Sequence, residues 1–320
     1  MNLSEDIKEI CQRNNIAPSR SKGQNFLIAE DIYDQIIEAA DLKPADVVLE
    51  VGPGFGFLTK RLATKVKEVV AVELDDKLAK VLREKLNAGG IKNVEVINED
   101  VLQLETLPTG RQVMNHELPE QNNVILRPKA EESQDEYAKL RIPTNLRSFA
   151  SLRMTKNYKI VANLTYNITS IFLRKFLTTE NKPLSMTLML QKEVAERRVA
   201  KPGEMSILSV SVQYYADVKI IDIVSREKFW PQPEVDSAII KIDLKLRAGI
   251  GDVDKDKDFF RLVRIGFSSR RKMLKNNLAA GYRISQEIAK NKLKIANLDE
   301  KIRAQDLSLS DWQRLFVQLR

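Results

Sequence analysis

Short apolar runs alternate with helical patterns through the first two-thirds of the chain. Residues 47–51 (Val-Val-Leu-Glu-Val) read as a buried strand, followed by a glycine-rich turn and a helix over about 57–65. Residues 68–74 read as a second strand and 76–87 as a second helix, ending near Gly89 and Gly90. Further strands are expected at 94–98, 158–162, 185–190, 218–224 and 237–243, with a helix at about 169–177. Such alternation predicts an α/β fold with a mainly parallel sheet covered on both faces.

Beyond Lys245 the period changes, and residues 258–265, 270–280, 285–293 and 310–319 read as helices. A chain of 320 residues exceeds one core of ordinary size. The expected division is residues 1–246 and a small all-helical domain over 247–320, joined through 249–258 with Gly249, Gly251 and alternating Asp and Lys. One segment breaks the rhythm. Residues 106–157 hold no clean strand and contain Pro108, Pro119, Pro128 and Pro143. That is far longer than a usual connection of about 4–6 residues, so it reads as an exposed insertion before the fourth strand.

Composition removes several classes. Apolar residues are 43% and charged residues 30%, the balance of a soluble globular chain, and no apolar run reaches membrane-spanning length. The first ten residues carry Glu5, Asp6 and Glu9 and no apolar core of a secretory signal, so a cytoplasmic location is expected. A single cysteine, Cys11, forbids an internal disulfide and a cysteine-based zinc site. The single histidine, His116, sits in a loop-like neighbourhood, so triad and Cys-His chemistry are not expected, nor is a metal. Nothing suggests a large apolar interface, and a monomer is expected.

The net charge of +8 is unevenly spread. Residues 241–320 hold 19 basic and 10 acidic residues, and the rest hold 33 and 34. The densest run contains Arg264, Arg270, Arg271, Lys272 and Lys275. A solvated helix face is the plain explanation of such a run alone, but a basic C-terminal quarter on a neutral body points to a polyanionic partner. Charge does not distinguish RNA from DNA or anionic lipid.

Candidate chemistry begins at Glu50-Val-Gly52-Pro-Gly54-Phe-Gly56-Phe-Leu-Thr59, between a strand and a helix. Glycines there let a ligand approach the backbone at a helix N-terminus. A dinucleotide fingerprint needs a third glycine at position 57, which is Phe, so the spacing fits S-adenosylmethionine better than a nicotinamide cofactor, with a purely structural turn as the alternative. Glu73 at the tip of the second strand suits two ribose hydroxyls, and the acids of Glu99-Asp100-Val101 at the third suit an adenine amine. After the fourth strand comes Asn163-Leu-Thr-Tyr166. The Asn163 side-chain oxygen and the Leu164 carbonyl can accept both N–H bonds of an exocyclic base amine, turning its lone pair toward a methyl donor. Tyr166 can stack on the base. Such orientation needs no shifted general base. A turn preceding a helix is the structural alternative for Asn163.

These stretches resemble the ribosomal small-subunit RNA adenine dimethyltransferases (the KsgA type). The matching segments also include Gly23-Gln-Asn25-Phe-Leu27, Val72-Glu73-Leu-Asp75, Leu188-Met-Leu-Gln191 through Arg197, Phe229-Trp-Pro231-Gln-Pro233-Glu-Val-Asp-Ser237, and Gly266-Phe-Ser-Ser-Arg270-Arg271-Lys272, in family order over nearly the whole chain. The resemblance implies a Rossmann-like methyltransferase sheet with a C-terminal helical RNA-binding domain. It implies that Asn25, Leu27, Gly52, Gly54, Glu73, Asp100 and Asn163 hold S-adenosylmethionine. Asn163, Leu164, Tyr166 and Phe229 would serve the target base, with Phe229 stacking opposite Tyr166. Arg270, Arg271, Lys272 and Lys275 would meet RNA.

The implied reaction methylates N6 of two adjacent adenines in a hairpin near the 3′ end of 16S rRNA, with the pre-30S subunit as partner. The base must leave its stack to enter the pocket. Two departures stand out. Thr165 replaces the family's usual proline, which predicts a less preorganised acceptor at Leu164. The stretch 201–207 lacks a Tyr-Gly pair and looks shortened. Competing readings are a large-subunit rRNA adenine methyltransferase conferring antibiotic resistance, and a ribosome-assembly factor with weak or no methylation. A small-molecule methyltransferase would have no use for the basic C-terminal quarter.

Overall fold

The structure, a computed structural model, describes residues 3–19, 23–104, 157–164, 168–179, 181–245 and 253–319. The order is α1 (Leu3–Arg13), β1 (Phe26–Leu27), α2 (Glu30–Ala40), β2 (Val47–Val51), α3 (Phe57–Ala63), β3 (Glu68–Val72), α4 (Asp76–Ala88) and β4 (Val94–Ile97). Then come β5 (Tyr158–Asn163), α5 (Thr169–Thr178), β6 (Ser185–Gln191), α6 (Lys192–Arg198), α7 (Ile207–Tyr215), β7 (Ala216–Val224), β8 (Phe229–Trp230) and β9 (Ser237–Leu244). The chain closes with α8 (Val253–Gly266), α9 (Leu274–Tyr282), α10 (Gln286–Ile295) and α11 (Leu309–Leu319). The insertion expected at 106–157 lies outside the described residues, apart from Asn157, and so does His116.

Seven strands form one sheet in the order β4-β3-β2-β5-β6-β9-β7. The first five are mutually parallel, while β9 runs antiparallel to both β6 and β7. The sheet is therefore mainly parallel, as the alternation predicts. The last pair departs from it because β7 and β9 are joined without a crossover helix, and only a crossover returns a strand in parallel. Strands β2 and β5 are apolar nearly throughout and buried, as strands covered on both faces must be. On one face α1, α2 and α3 contribute Ile7, Ile36, Leu58 and Leu62. On the other, Phe172 and Phe176 of α5 and Val212 and Tyr215 of α7 pack on Ile160, Leu188 and Ile240. Each such side chain, fully buried, contributes roughly 1.5–3 kcal/mol.

A third cluster joins Leu262, Leu278, Leu293 and Trp312 with Met205 and Val210, so α7 packs on both the sheet and the C-terminal helices. Gly266 closes α8 against Trp312, and a Cβ there would meet the indole at 2.3 Å. Helix α8 begins at Val253, inside the segment expected as linker, and this added turn carries the buried Asp256, which accepts from Tyr214 and Tyr215 Oη of α7 at 2.8 and 2.9 Å. Four helices, α1, α2, α6 and α7, have no counterpart in the sequence expectations. In α1 the signal is present, since Leu3, Ile7 and Cys11 recur at helical spacing and are buried.

Candidate active site

Strand β2 is central, and the chain leaves it toward β3 and β4 on one side and β5 and β6 on the other. Loops after β2 and β5 therefore diverge, and a crevice opens beyond the strand ends, where ligands of such sheets bind. One cleft there is lined by Asn25, Leu27, Gly52, Gly54, Glu73, Asp100, Asn163, Leu164 and Phe229, so these expected residues share one cavity. Tyr166 and Thr165 lie outside the described residues.

The glycine loop follows β2 directly. Gly52, Gly54 and Gly56 have φ of 67°, 56° and 79°, a region in which a side chain is strained. At Gly54 a Cβ would also touch the Phe26 ring at 3.4 Å. The turn delivers the Gly54 N–H to Glu73 Oε2 at 3.0 Å, and Asp75 N–H donates to Glu73 Oε1 at 2.9 Å. Glu73 is buried, and burial raises its pKa while those two backbone donors oppose the rise. Asn98 Nδ2 donates to the Glu73 carbonyl at 2.9 Å and ties the ends of β3 and β4 together. Asp100 accepts the Leu102 N–H at 2.9 Å in a local turn, which sets its carboxylate at the cleft.

Asn163 ends β5, and the next residue is held from the neighbouring strand, with Leu164 N–H donating to Met189 O at 3.1 Å. The backbone here runs close to the glycine loop, for a Cβ on Gly52 would lie 3.7 Å from Asn163 O. Phe229 arrives from the far end of the chain through a two-stranded antiparallel sheet, in which Leu27 pairs with Phe229 and Phe26 with Trp230. Tyr33 Oη donates to Leu27 O at 3.0 Å and fixes the other strand of that pair. Gln24 Nε2 donates to Asp75 Oδ2 at 3.3 Å, linking the N-terminal segment to the rim beside Glu73.

Sequence reasoning assigned no role to Glu50, which also lines the cleft. It is 1% exposed, and burial pushes its carboxyl up to about 8, with Glu73 adding repulsion and the nearby Thr59 hydroxyl opposing. Among the described residues, neither Glu50 Oε2 nor Thr59 Oγ1 completes a hydrogen bond. The legible signal is a lone acid inside an apolar five-residue strand.

The basic residues do not behave as one group. Arg270, Arg271 and Lys272 are exposed on the turn between α8 and α9, not on a helix as expected. Asn277 Nδ2 holds that turn by donating to Gly266 O at 2.6 Å and Ser269 O at 3.0 Å, which starts α9 only at Leu274. Lys275, on α9, is less exposed and faces Glu300 at 3.8 Å.

The chain matches the family model for ribosomal RNA adenine dimethylase over residues 17–319. It is 37% identical over 319 residues to the ribosomal RNA small subunit methyltransferase A of Dehalococcoides mccartyi, covering 99% of this chain and 93% of that one. Among solved structures it resembles a dimethyladenosine transferase from Plasmodium falciparum (TM-score 0.66, 24% identity, 91% of this chain and 95% of that chain). It resembles the 23S rRNA methyltransferase ErmE equally (TM-score 0.65, 24% identity, 92% and 99%). These two likenesses show the Rossmann-like methyltransferase fold and do not choose between substrates. The match along almost the full length, and the sequence identity to a full-length relative, make the chain a member of the ribosomal RNA adenine dimethylase family.

Proposed function

We propose that the protein dimethylates N6 of two adjacent adenines near the 3′ end of 16S rRNA in the small ribosomal subunit, with S-adenosylmethionine as methyl donor. The observation that carries this is the meeting of Asn163, Leu164 and Phe229 with Gly52, Gly54, Glu73 and Asp100 in one cleft. The cleft suits that cofactor. The buried carboxylate of Glu73 suits a ligand bearing paired hydroxyls, Glu50 offers the cleft a polar oxygen with no partner among the described residues, and the positive-φ glycines leave the loop backbone open. In this reading Asn25 and Leu27 cover the cofactor, Gly52 and Gly54 border it, Glu73 takes the ribose and Asp100 the adenine amine. The bound cofactor supplies a methyl group made electrophilic by its sulfonium.

The chain supplies orientation. Asn163 Oδ1 and the Leu164 carbonyl accept the two N6–H bonds, so the nitrogen lone pair is freed from the ring and aimed. Leu164 is set for this by its bond to Met189 on β6. Phe229 and Tyr166 stack on the two faces of the base, since every base offers a π face. After the first transfer one N–H remains, and one acceptor is enough to hold it. The domains are proposed as residues 1–246 for the methyltransferase and 247–320 for RNA docking, with Arg270, Arg271 and Lys272 on rRNA phosphates. Lys275, paired with Glu300, is the weakest member of that set.

The test is methyl incorporation from labelled S-adenosylmethionine into unmodified small subunits, followed by nucleoside analysis. N6,N6-dimethyladenosine is the expected product. Cofactor binding without incorporation would favour an assembly factor instead, a reading that Thr165 in place of proline keeps open.

A further inference from the structure

Arg198, the last residue of α6, is 2% exposed. Among the described residues its Nε has no hydrogen-bond partner, and Nη2 makes one long bond of 3.3 Å to the neutral Oγ of Ser170. Among the described residues no carboxylate pairs with it, and Glu193, an acid on the same helix, is taken by Arg197. A buried cation without an anion is costly, and proteins rarely keep one unless something else compensates. Arg197 adds further positive potential and, after burial, is the second cause holding the Arg198 pKa down.

The partner of this guanidinium sits at the start of α5, a ten-residue helix. Its N-cap residue, Ile168, provides no side-chain cap, and its first turn carries no acid. The first N–H groups of a helix lack intrahelical acceptors and carry the positive end of the dipole. Ser170 is exposed in that turn. Because Arg198 donates to its Oγ, the hydroxyl hydrogen is directed away from Arg198 and is available to donate outward. The helix start is also at the right place, for Ile168 lines the cleft together with Asn163, Leu164 and Phe229.

We propose that Ser170, the N-terminal amides of α5 and the buried charge of Arg198 form a phosphate subsite. It would take a phosphodiester of the RNA strand beside the adenine held in the cleft. The subsite rests on the proposed RNA substrate and deepens it. Phosphate contacts fix register without reading sequence, so this one would set how far the target nucleotide enters.

The experiment measures binding of a hairpin RNA against salt for the full-length wild type and for Ser170→Ala, Arg198→Met and Arg198→Lys. Melting temperature and S-adenosylmethionine affinity are recorded in parallel. Ser170→Ala and Arg198→Met should each weaken RNA binding about tenfold, as for loss of a charge-assisted hydrogen bond. Arg198→Met should also lower the salt slope by roughly 0.7–0.9, the value of one phosphate. Arg198→Lys should keep that slope. The melting temperature of Arg198→Met should hold or rise, because an apolar side chain replaces an unpaired buried charge. Folded variants with wild-type affinity and slope would overturn the subsite. So would RNA loss that follows a fall in melting temperature in Arg198→Met while Ser170→Ala binds normally, since Arg198 would then be structural. Failure of the wild type to methylate small subunits would overturn the proposed reaction instead, and the RNA slopes would still report on the phosphate.

Discussion

Gly54 donates its backbone N–H to Glu73 Oε2 at 3.0 Å, although the two residues lie 19 positions apart and on different strand ends. With Asp75 N–H on Oε1, this bond clamps the glycine loop to the tip of β3. Glu73→Ala removes the acceptor for both amides. S-adenosylmethionine binding should weaken by about tenfold to a hundredfold, since hydrogen bonds to charged groups are worth roughly 1.5–3 kcal/mol. Titration calorimetry reads this directly, and an unchanged dissociation constant would take Glu73 out of the cofactor site.

Asn163→Ala should reduce methyl transfer by about a hundredfold or more, as for loss of a preorganised polar contact in a water-poor site. RNA binding should stay near wild type. Single-turnover kinetics with a parallel filter-binding measurement separates the two. Equal loss of both would mean that Asn163 shapes the end of β5 and does not act on the base.

Glu50 gives the cofactor-free protein a pH dependence. Its folded-state pKa is pushed to about 8 from 4.5, chiefly by burial. The unfolded chain therefore releases this proton first as pH rises. Stability from this group is whole below about 4.5 and is lost progressively as pH rises through about 8, by a few kcal/mol in order of magnitude. Glu73 is shifted the same way, so Glu50→Gln should reduce the slope without abolishing it. Urea midpoints at pH 5 and pH 9 for both proteins measure it, and parallel profiles would show that Glu50 is ionised in the folded state at neutral pH.

Tyr214 Oη and Tyr215 Oη donate to the two oxygens of Asp256 at 2.8 and 2.9 Å, joining α7 to α8. Asp256→Ala would leave both hydroxyls without that acceptor and should cost about 2–4 kcal/mol, while Tyr215→Phe alone should cost about 1 kcal/mol. Tyr214→Phe and Tyr215→Phe act on one shared carboxylate and should not add. Denaturant melts of the single and double variants would show this, and strict additivity would mean that the hydroxyls act independently.

Charge reversal at Arg270, Arg271 and Lys272 should weaken RNA binding and flatten its salt dependence by roughly 0.7–0.9 for each phosphate no longer neutralised. The three side chains are exposed on a turn held by Asn277, so the fold should survive. Lys275→Glu should do far less, apart from its effect on the Glu300 pair. An unchanged slope for the triple variant would remove that turn from the RNA interface.

Much of the molecule is legible in the sequence because its signals are local. A five-residue apolar run, three glycines and a following helical period mark β2, its loop and α3 without reference to anything distant. Acids at the ends of successive strands follow from the same alternation, since a parallel sheet must bring those ends to one edge. The last two helices are legible to within a few residues, whereas α8 starts five residues before the expected position and α9 starts late because Asn277 holds a turn that the basic run alone would continue as helix.

The sequence by itself determined the α/β class, the glycine loop, the positions of Glu73, Asp100 and Asn163, and the basic C-terminal quarter. Tertiary structure decided the antiparallel turn of β9, the pairing of Leu27 with Phe229, and the burial of Glu50 and Arg198. The physical reason is range. Periods of 2 and 3.6 report which face of an element is buried, whereas strand order and a side chain's charge partners depend on residues far along the chain.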